Sequence, residues 1–374
     1  MKILRISGEI YPEMVGGLPI HVENISKAQS DMGLYVEVFS TNYKKLKSIE
    51  YRKNILYRHY FEICRPLDNP IIPTLFFGVL RHLKRFDIIH AHSHLYFSTI
   101  IAALIRKLNL RPLVITNHGF FSQSSNIRFQ NLYLRTFGKW TLRAADRIIC
   151  YEENEKNLLM KYDINPSKIA IIPNSIDTSL FPPKDKVFSN IILWVGRFKK
   201  LKAPDILIRG FREATLEYPD LKLIMIGNGS EKKKIEELIN SLSLESKVEI
   251  LEFVPVPEMH KYYQKADIFV LSSYKEGMPR SLMEAITSGV PCICTNLPQL
   301  KGNFSGLIKF FNKGNFMDLA EKISNTIENY KVAKETALKN STFIKNNFPW
   351  RKTVIDTIKL YADLIKEFDN FNTK

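Results

Sequence analysis

Two acidic and two basic side chains carry the strongest chemical signal in the 374-residue sequence. Glu276 and Glu284, with seven residues between them, belong to Tyr274-Lys275-Glu276-Gly277-Met278-Pro279-Arg280-Ser281-Leu282-Met283-Glu284-Ala285. This segment follows the apolar run Ile268–Leu271. Gly277 permits an unusual turn and Pro279 fits a first helical turn. The unpaired N–H groups at such a helix start suit a phosphate or a hydroxyl. Two carboxylates so spaced accept hydrogen bonds from two different sets of sugar hydroxyls. The purely structural alternative has Glu276 interacting with the helix start and Glu284 pairing with Arg280 at i−4. Upstream, Trp194-Val195-Gly196-Arg197-Phe198-Lys199-Lys200-Leu201-Lys202 ends a buried strand at Gly196. Arg197 and Lys202 bracket the turn that follows, a planar fork and a point charge suited together to a diphosphate. Lys199 and Lys200 read as a solvated basic turn.

Other landmarks are weaker singly. Gly16-Gly17, after the first strand, allow a ligand to approach the backbone closely. Neither this pair nor Gly227-Asn228-Gly229 has the spacing of a dinucleotide fingerprint, which speaks against nicotinamide chemistry. His90, His92 and His94 at period two would share a strand face, so a metal triad is weighed; strand-end histidines more often hydrogen-bond neighbours or substrate. No Asp-x-Asp occurs, which leaves a dedicated carboxylate site for a metal–phosphate pair without support.

These residues need a scaffold. Strands are expected at Ile3–Ser7, Val36–Ser40, Ile88–Ala91, Leu113–Thr116, Arg147–Cys150, Lys168–Ile172, Ile191–Val195, Lys222–Ile226, Val248–Leu251, Ile268–Leu271 and Pro291–Cys294. Helical patterns fall between them, at Ile20–Met32, Pro73–Lys84, Thr99–Leu108, Asn126–Ala144, Ala203–Glu217, Glu231–Ser241, Glu258–Lys265 and Pro279–Ser288. Such alternation predicts an α/β protein with parallel sheets covered on both faces. The Pro- and charge-rich joint Phe181-Pro182-Pro183-Lys184-Asp185-Lys186 divides two doubly wound, Rossmann-like domains, 1–183 and 184–349, expected to face a cleft. A final amphipathic run, 350–370, is expected to pack back onto either of the two. Ligands of open parallel sheets bind beyond the carboxyl ends of the strands.

Composition narrows the classes. Hydrophobic residues make up 45% of the chain, enough for two cores, and no stretch approaches the ~18 apolar residues of a membrane-spanning helix. Four cysteines make no disulfide framework, and the N-terminus reads as a first strand; a reducing cytoplasm is the expected compartment. Lys and Arg number 54 against 38 Asp and Glu, a net charge of +16. From Arg81 to Arg147 eleven basic residues stand against Asp87 and Asp146, interleaved with Phe120, Phe121, Phe129, Tyr133, Phe137 and Trp140. That pattern fits either a solvated basic face or contact with an anionic membrane or polyanion.

Taken together the segments resemble the retaining glycosyltransferases of the GT-B architecture, the glycosyl transferases group 1 or family 4 type. The resemblance rests on the glycine pair, the His-Ala-His strand end, His118-Gly119, Ile172-Pro173-Asn174-Ser175-Ile176-Asp177, Val195-Gly196-Arg197…Lys202, the two glutamates, and the closing helix after Phe348-Pro349-Trp350, which by this resemblance would join the first domain. It implies that Gly17, beside Gly16, sets its N–H against the distal phosphate of a nucleotide-sugar donor. Gly196 ends the strand before Arg197 and Lys202, which would neutralise the diphosphate. Glu284 would hold the ribose and Glu276 the sugar, beside the backbone of Gly277, Met278 and Pro279. Leu282 would offer an N–H to phosphate, and His118 would contact the sugar on the acceptor side. Pro279 stands where the family usually has glycine, and Thr295-Asn296-Leu297-Pro298-Gln299 lacks the family's Gly-Gly and Glu. The implied reaction moves a hexose, with retention and without a metal, from a UDP- or GDP-sugar to a hydroxyl of a glycan or lipid-linked acceptor. No cofactor beyond that substrate is expected, and no specific nucleic acid. The expected location is cytoplasmic, with peripheral contact at the inner membrane face. A sugar-nucleotide epimerase of similar fold would need no acceptor. A polyanion-binding protein would leave the two carboxylates unexplained.

Overall fold

The computed structural model describes residues 1–14, 16–42, 47–119 and 131–372, and it divides into two compact units. The first comprises Met1–Pro173 with Arg351–Lys374, the second Asn174–Trp350. The cut therefore precedes the joint expected near residue 183. Phe181 is buried edge-to-face against Tyr263, at 5.7 Å between ring centroids, and Gln264 Nε2 donates to the Pro182 carbonyl at 3.2 Å. These contacts make the Pro-rich stretch part of the second unit rather than a linker.

The first unit holds β1 (Lys2–Ile6), β2 (Tyr35–Thr41), β3 (Ile49–Arg52), β4 (Ile55–Tyr60), β5 (Ile88–His92), β6 (Leu113–Thr116), β7 (Arg147–Cys150) and β8 (Ile169–Ile171). They form one sheet in the order β3-β4-β2-β1-β5-β6-β7-β8, parallel except for the β3–β4 pair. Ile3 sits between Val36 and Ile88 in the register. One apolar core gathers Leu4, Ile6, Ile89, Ile115 and Ile148 under the helices Thr74–His82 and Phe97–Lys107; a second holds Ile3, Val38, Ile88 and Val114 with Tyr361 and Leu364 of the helix Trp350–Asn372. The β3–β4 hairpin has no counterpart among the expected strands. Its turn is Lys53-Asn54, both at positive φ (48° and 65°), and lacks the glycine that announces such turns. The helix expected over Asn126–Ala144 is present across its described residues, 131–144, with a π-type turn at Leu134–Gly138; residues 126–130, with Phe120, Phe121 and Phe129, lie outside the described residues.

The second unit is a wholly parallel sheet of β9 (Ile191–Val195), β10 (Lys222–Ile226), β11 (Val248–Leu251), β12 (Ile268–Leu271), β13 (Cys292–Thr295) and β14 (Lys309–Phe311), in the order β11-β10-β9-β12-β13-β14. The chain reverses its direction of propagation between β9 and β12. The loops leaving these two strands therefore diverge and leave room for a ligand. Four helices absent from the expected set, Glu153–Lys161, Pro298–Phe304, Phe316–Glu328 and Tyr330–Asn347, complete the two units.

One buried carboxylate ties the second unit together. Asp267 Oδ2 accepts from the Ile191 N–H at 2.7 Å, the Ser189 N–H at 3.1 Å and the Ser189 hydroxyl at 3.0 Å. Its Oδ1 pairs with Lys186 Nζ at 2.8 Å and accepts from the Tyr330 hydroxyl at 3.1 Å. Two charged groups and several donors meet at a fully buried point, so the ion pair is well compensated.

Backbone crowding sets the turn after β10. Gly227 has φ 143°, and a Cβ there would lie 1.9 Å from the Gly196 carbonyl oxygen. Gly227→Ala is therefore expected to destabilise the second unit by about 2–4 kcal/mol, read from urea denaturation; Gly302→Ala, with no atom within 4 Å of the added carbon, should cost far less.

Candidate active site

The loops that diverge at the β9/β12 reversal are stitched to each other. Lys202, in the turn after β9, reaches Glu276, in the loop after β12, with Nζ to Oε1 at 2.6 Å. The Ser273 hydroxyl donates to the same oxygen at 2.6 Å. Ser272 Oγ donates to the Lys202 carbonyl at 2.9 Å, and the Tyr274 N–H to the Leu201 carbonyl at 2.8 Å. Side-chain exposures of 17% for Lys202 and 8% for Glu276 put the pair where water screens it poorly. The positive φ of Ala203, 44°, turns the chain so that Lys202 points back while the helix Pro204–Glu217 begins. Gly196 donates to the Ile226 carbonyl at 3.0 Å, and half-buried Arg197 makes no ion pair among the described residues.

Glu276 and Glu284 do not meet; each has its own partners. Glu284 Oε2 accepts from the Tyr263 hydroxyl at 2.9 Å, and Oε1 lies 3.7 Å from Arg280 Nη2. Arg280 in turn donates to the Ser175 carbonyl at 3.0 Å. Burial pushes the Glu284 carboxyl above the usual carboxylate range, while Arg280 and the Tyr263 hydroxyl pull it down less strongly. The helix carrying Glu284 runs over Arg280–Thr287, one residue later than Pro279, which sits outside it as the preceding residue with no side-chain cap. The N–H groups of Arg280, Ser281 and Leu282 thus open the helix, and Leu282 and Met278 are buried. Half-buried Gly277 precedes Met278, whose carbonyl accepts from Asn174 Nδ2 at 3.4 Å.

The first unit carries the remaining expected residues around a histidine chain. Gly16 precedes the helix Gly17–Asp31, again without a side-chain cap; Pro19 has no N–H, so Gly17 and Leu18 supply the donors of its first turn. His90 and His92 share a face of β5, with ring centroids 4.3 Å apart. His94 does not join them: Ser93, at φ 63°, ends the strand geometry, and His94 Nδ1 bonds Asn117 Oδ1 at 2.9 Å. The histidines that do cluster are His21, His92 and His118, with ligand-capable atoms within 4.8 Å of one another.

Hydrogen-bond direction argues against ligation there. Arg5, fully buried in β1, donates from Nη1 to His90 Nδ1 at 3.1 Å and His92 Nε2 at 3.0 Å, and from Nη2 to Gln29 Oε1. Guanidinium only donates, so His92 carries its proton on Nδ1 and gives it to His118 Nε2, 3.0 Å away. His118 then holds its proton on Nδ1, toward the Tyr151 hydroxyl at 2.8 Å. Both ring nitrogens of His118 are engaged inside the unit, and a cation would have to break this chain beside a guanidinium. Burial lowers the His118 imidazole to about 3, and burial with Arg5 lowers His92 well below its ordinary value; both rings are neutral near pH 7. Sequence reasoning missed Arg5, although a charge inside the apolar strand Lys2–Ile6 signals a buried, partnered group.

A family profile described as glycosyl transferases group 1 matches residues 177–370, and one described as glycosyltransferase family 4 matches residues 15–180. The phosphatidylinositol N-acetylglucosaminyltransferase GPI3 subunit of Saccharomyces cerevisiae is 23% identical over 97% of this chain and 83% of its own. An uncharacterised glycosyltransferase of Methanocaldococcus jannaschii is 27% identical over 97% of this chain and 99% of its own. Among solved structures, sucrose-phosphate synthase from Thermosynechococcus elongatus superposes with a TM-score of 0.81 at 18% identity, covering 98% of this chain and all of that one. Anabaena HepE in complex with UDP-glucose gives 0.79 at 18% identity with the same coverage. The two sheets are thus those of the GT-B fold.

Tyr151, which receives the histidine chain, is itself positioned by Glu155, whose Oε2 accepts the Tyr151 N–H at 2.7 Å. Burial raises the Glu155 carboxyl to about 7. A carboxyl raised above its unfolded value near 4.3 favours folding while protonated in both states, and that contribution fades as pH rises through about 7. Glu155→Gln is therefore expected to leave stability unchanged below pH 4 and to raise it above pH 7, by about 3 kcal/mol, in denaturation curves taken across that range.

Proposed function

Because the chain belongs to the glycosyl transferases group 1 family, we propose that it moves a hexose from a nucleotide-sugar donor to the hydroxyl of a glycan or lipid-linked acceptor at a membrane face. The observation that carries this reading is the Lys202–Glu276 pair at the β9/β12 reversal, flanked by the uncapped start of the Arg280–Thr287 helix. Departure of a nucleoside diphosphate leaves negative charge on phosphate and positive charge on the sugar ring. Arg197, Lys202 and the N–H of Leu282 act on the first charge, and preorganised donors of this kind need no rearrangement as it develops. Glu276 holds the sugar hydroxyls, and Glu284, steadied by Tyr263, holds the ribose. Gly196, Gly277, Met278 and Pro279 contribute backbone surface beside the donor, and Gly16 and Gly17 bring N–H groups to the distal phosphate. His118 contributes an uncharged ring and not a proton at neutral pH.

Retention of the anomeric configuration follows from same-face attack assisted by the departing phosphate, in which no side chain forms a covalent bond. The donor class, a UDP- or GDP-sugar, draws support from HepE, crystallised with UDP-glucose. A lipid-linked acceptor draws support from the relatives named as phosphatidylinositol N-acetylglucosaminyltransferase components. The chemistry runs without a divalent metal, since fixed cations meet the diphosphate.

Lys202→Ala and Glu276→Ala are each expected to lower kcat by about 100-fold or more, with melting temperatures close to the parent. Wild-type rates in both folded variants would refute the assignment. Nucleotide sugars should raise the melting temperature of the parent, and EDTA should leave turnover unchanged. Loss of turnover in EDTA, restored by Mg²⁺ or Mn²⁺, would refute the metal-free scheme.

A further inference from the structure

A cavity of about 400 Å³ opens in the first unit between the β3–β4 edge and the helix Thr74–His82. Arg58, His59, Phe61, Phe77, Arg81 and His82 line it. At its mouth Phe77 is 72% and Phe61 66% exposed, and Ile49, also lining it, is 49% exposed. Lone exposed apolar side chains are ordinary, but three converging on one cavity leave a patch that water solvates badly.

On its strand side the acids bordering this patch are paired, Glu50 with Arg52 at 3.2 Å and Glu62 with Arg65 at 2.6 Å. Arg58, at 3.0 Å, and Arg85 share a single carboxylate, that of Glu37. Arg81 is exposed and makes no ion pair among the described residues, so on the helix side Arg58, Arg81 and Arg85 stand against Glu37 alone. Exposed Lys84 adds to the excess, and no Asp or Glu occurs from Ile71 to Phe86. Phe77, Arg81 and Lys84 fall at i, i+4 and i+7, so ring and cations share one side of the helix and its continuation. Burial lowers the pKa of both His59 and His82, which leaves the guanidinium groups to carry the charge.

We propose that this face docks on an anionic bilayer, with Phe61 and Phe77 entering the interface and a lipid phosphate received by Arg81 at the cavity. Phe rings bury into the headgroup–acyl boundary beside a basic face, and clustered Arg and Lys are drawn to anionic lipid. A bilayer is the occupant that satisfies both halves of the patch; a soluble polyanion would leave the two rings in water. The proposal rests on the membrane part of the reading above and assigns it a surface, removed in sequence from the donor-site residues.

Flotation of the full chain with phosphatidylcholine vesicles, and with vesicles containing equal parts of phosphatidylglycerol, tests it. The parent is expected to float with the second and not the first. Phe77→Ser and Arg81→Glu should each lower the bound fraction about tenfold. Equal flotation by the variants, flotation regardless of lipid charge, or no flotation would overturn the proposal. So would release by inorganic phosphate at constant ionic strength, which marks a free-anion site, or by single-stranded RNA, which marks a nucleic-acid surface. Stabilisation by nucleotide sugars, measured without vesicles on the same proteins, reports the donor site separately; its retention in the variants distinguishes loss of the docking face from failure of the transfer reading.

Discussion

The second unit is organised around the contact between Lys202 and Glu276. β9 and β12 are neighbours, but the chain propagates away from them in opposite directions, so nothing in the sheet itself holds their outgoing loops together. The ion pair does so, helped by the Ser272 and Tyr274 bonds to the same turn. Two opposite charges in a poorly hydrated position attract each other strongly, and each keeps spare hydrogen-bonding capacity: Lys202 has further N–H donors and Glu276 further lone pairs. A ligand with anionic and hydroxyl-bearing ends therefore meets groups already oriented.

The first unit solves a different problem, a permanent cation inside a strand. Arg5 has no carboxylate among the described residues; neutral acceptors, His90, His92 and Gln29, share its charge. Because the guanidinium can only donate, it fixes the protons of the imidazoles one after another, and the whole chain takes a single direction ending at Tyr151. The arrangement costs desolvation and returns order: His118 has one tautomer and one charge state near neutral pH.

Much of this is legible in the residues. β9, β10 and β12 coincide with their apolar runs, because strands buried on both faces are written as continuous hydrophobic segments. Most candidate residues of the second unit stand in the loops that follow β9 and β12, with Leu282 and Glu284 in the helix beyond. What the sequence does not convey is pairing at a distance. Lys202 and Glu276 are 74 positions apart, and Glu284 finds Tyr263 on a separate helix rather than relying on its neighbour Arg280 alone. The period-two histidines mislead because one residue, Ser93, leaves the extended conformation and turns His94 aside. The β3–β4 hairpin escapes because β3, Ile49–Arg52, is short and exposed or half-buried throughout and the turn is Lys-Asn.

The closing helix belongs to the first unit, and its Val354, Tyr361 and Leu364 are buried there. During vectorial synthesis the second unit, contiguous from Asn174 to Trp350, leaves the ribosome complete while one face of the earlier sheet still awaits its cover. A segment made after the second unit thus seals a sheet made before it, and nascent chains halted near residue 350 would display a finished second unit and an apolar surface of the first still open to chaperones.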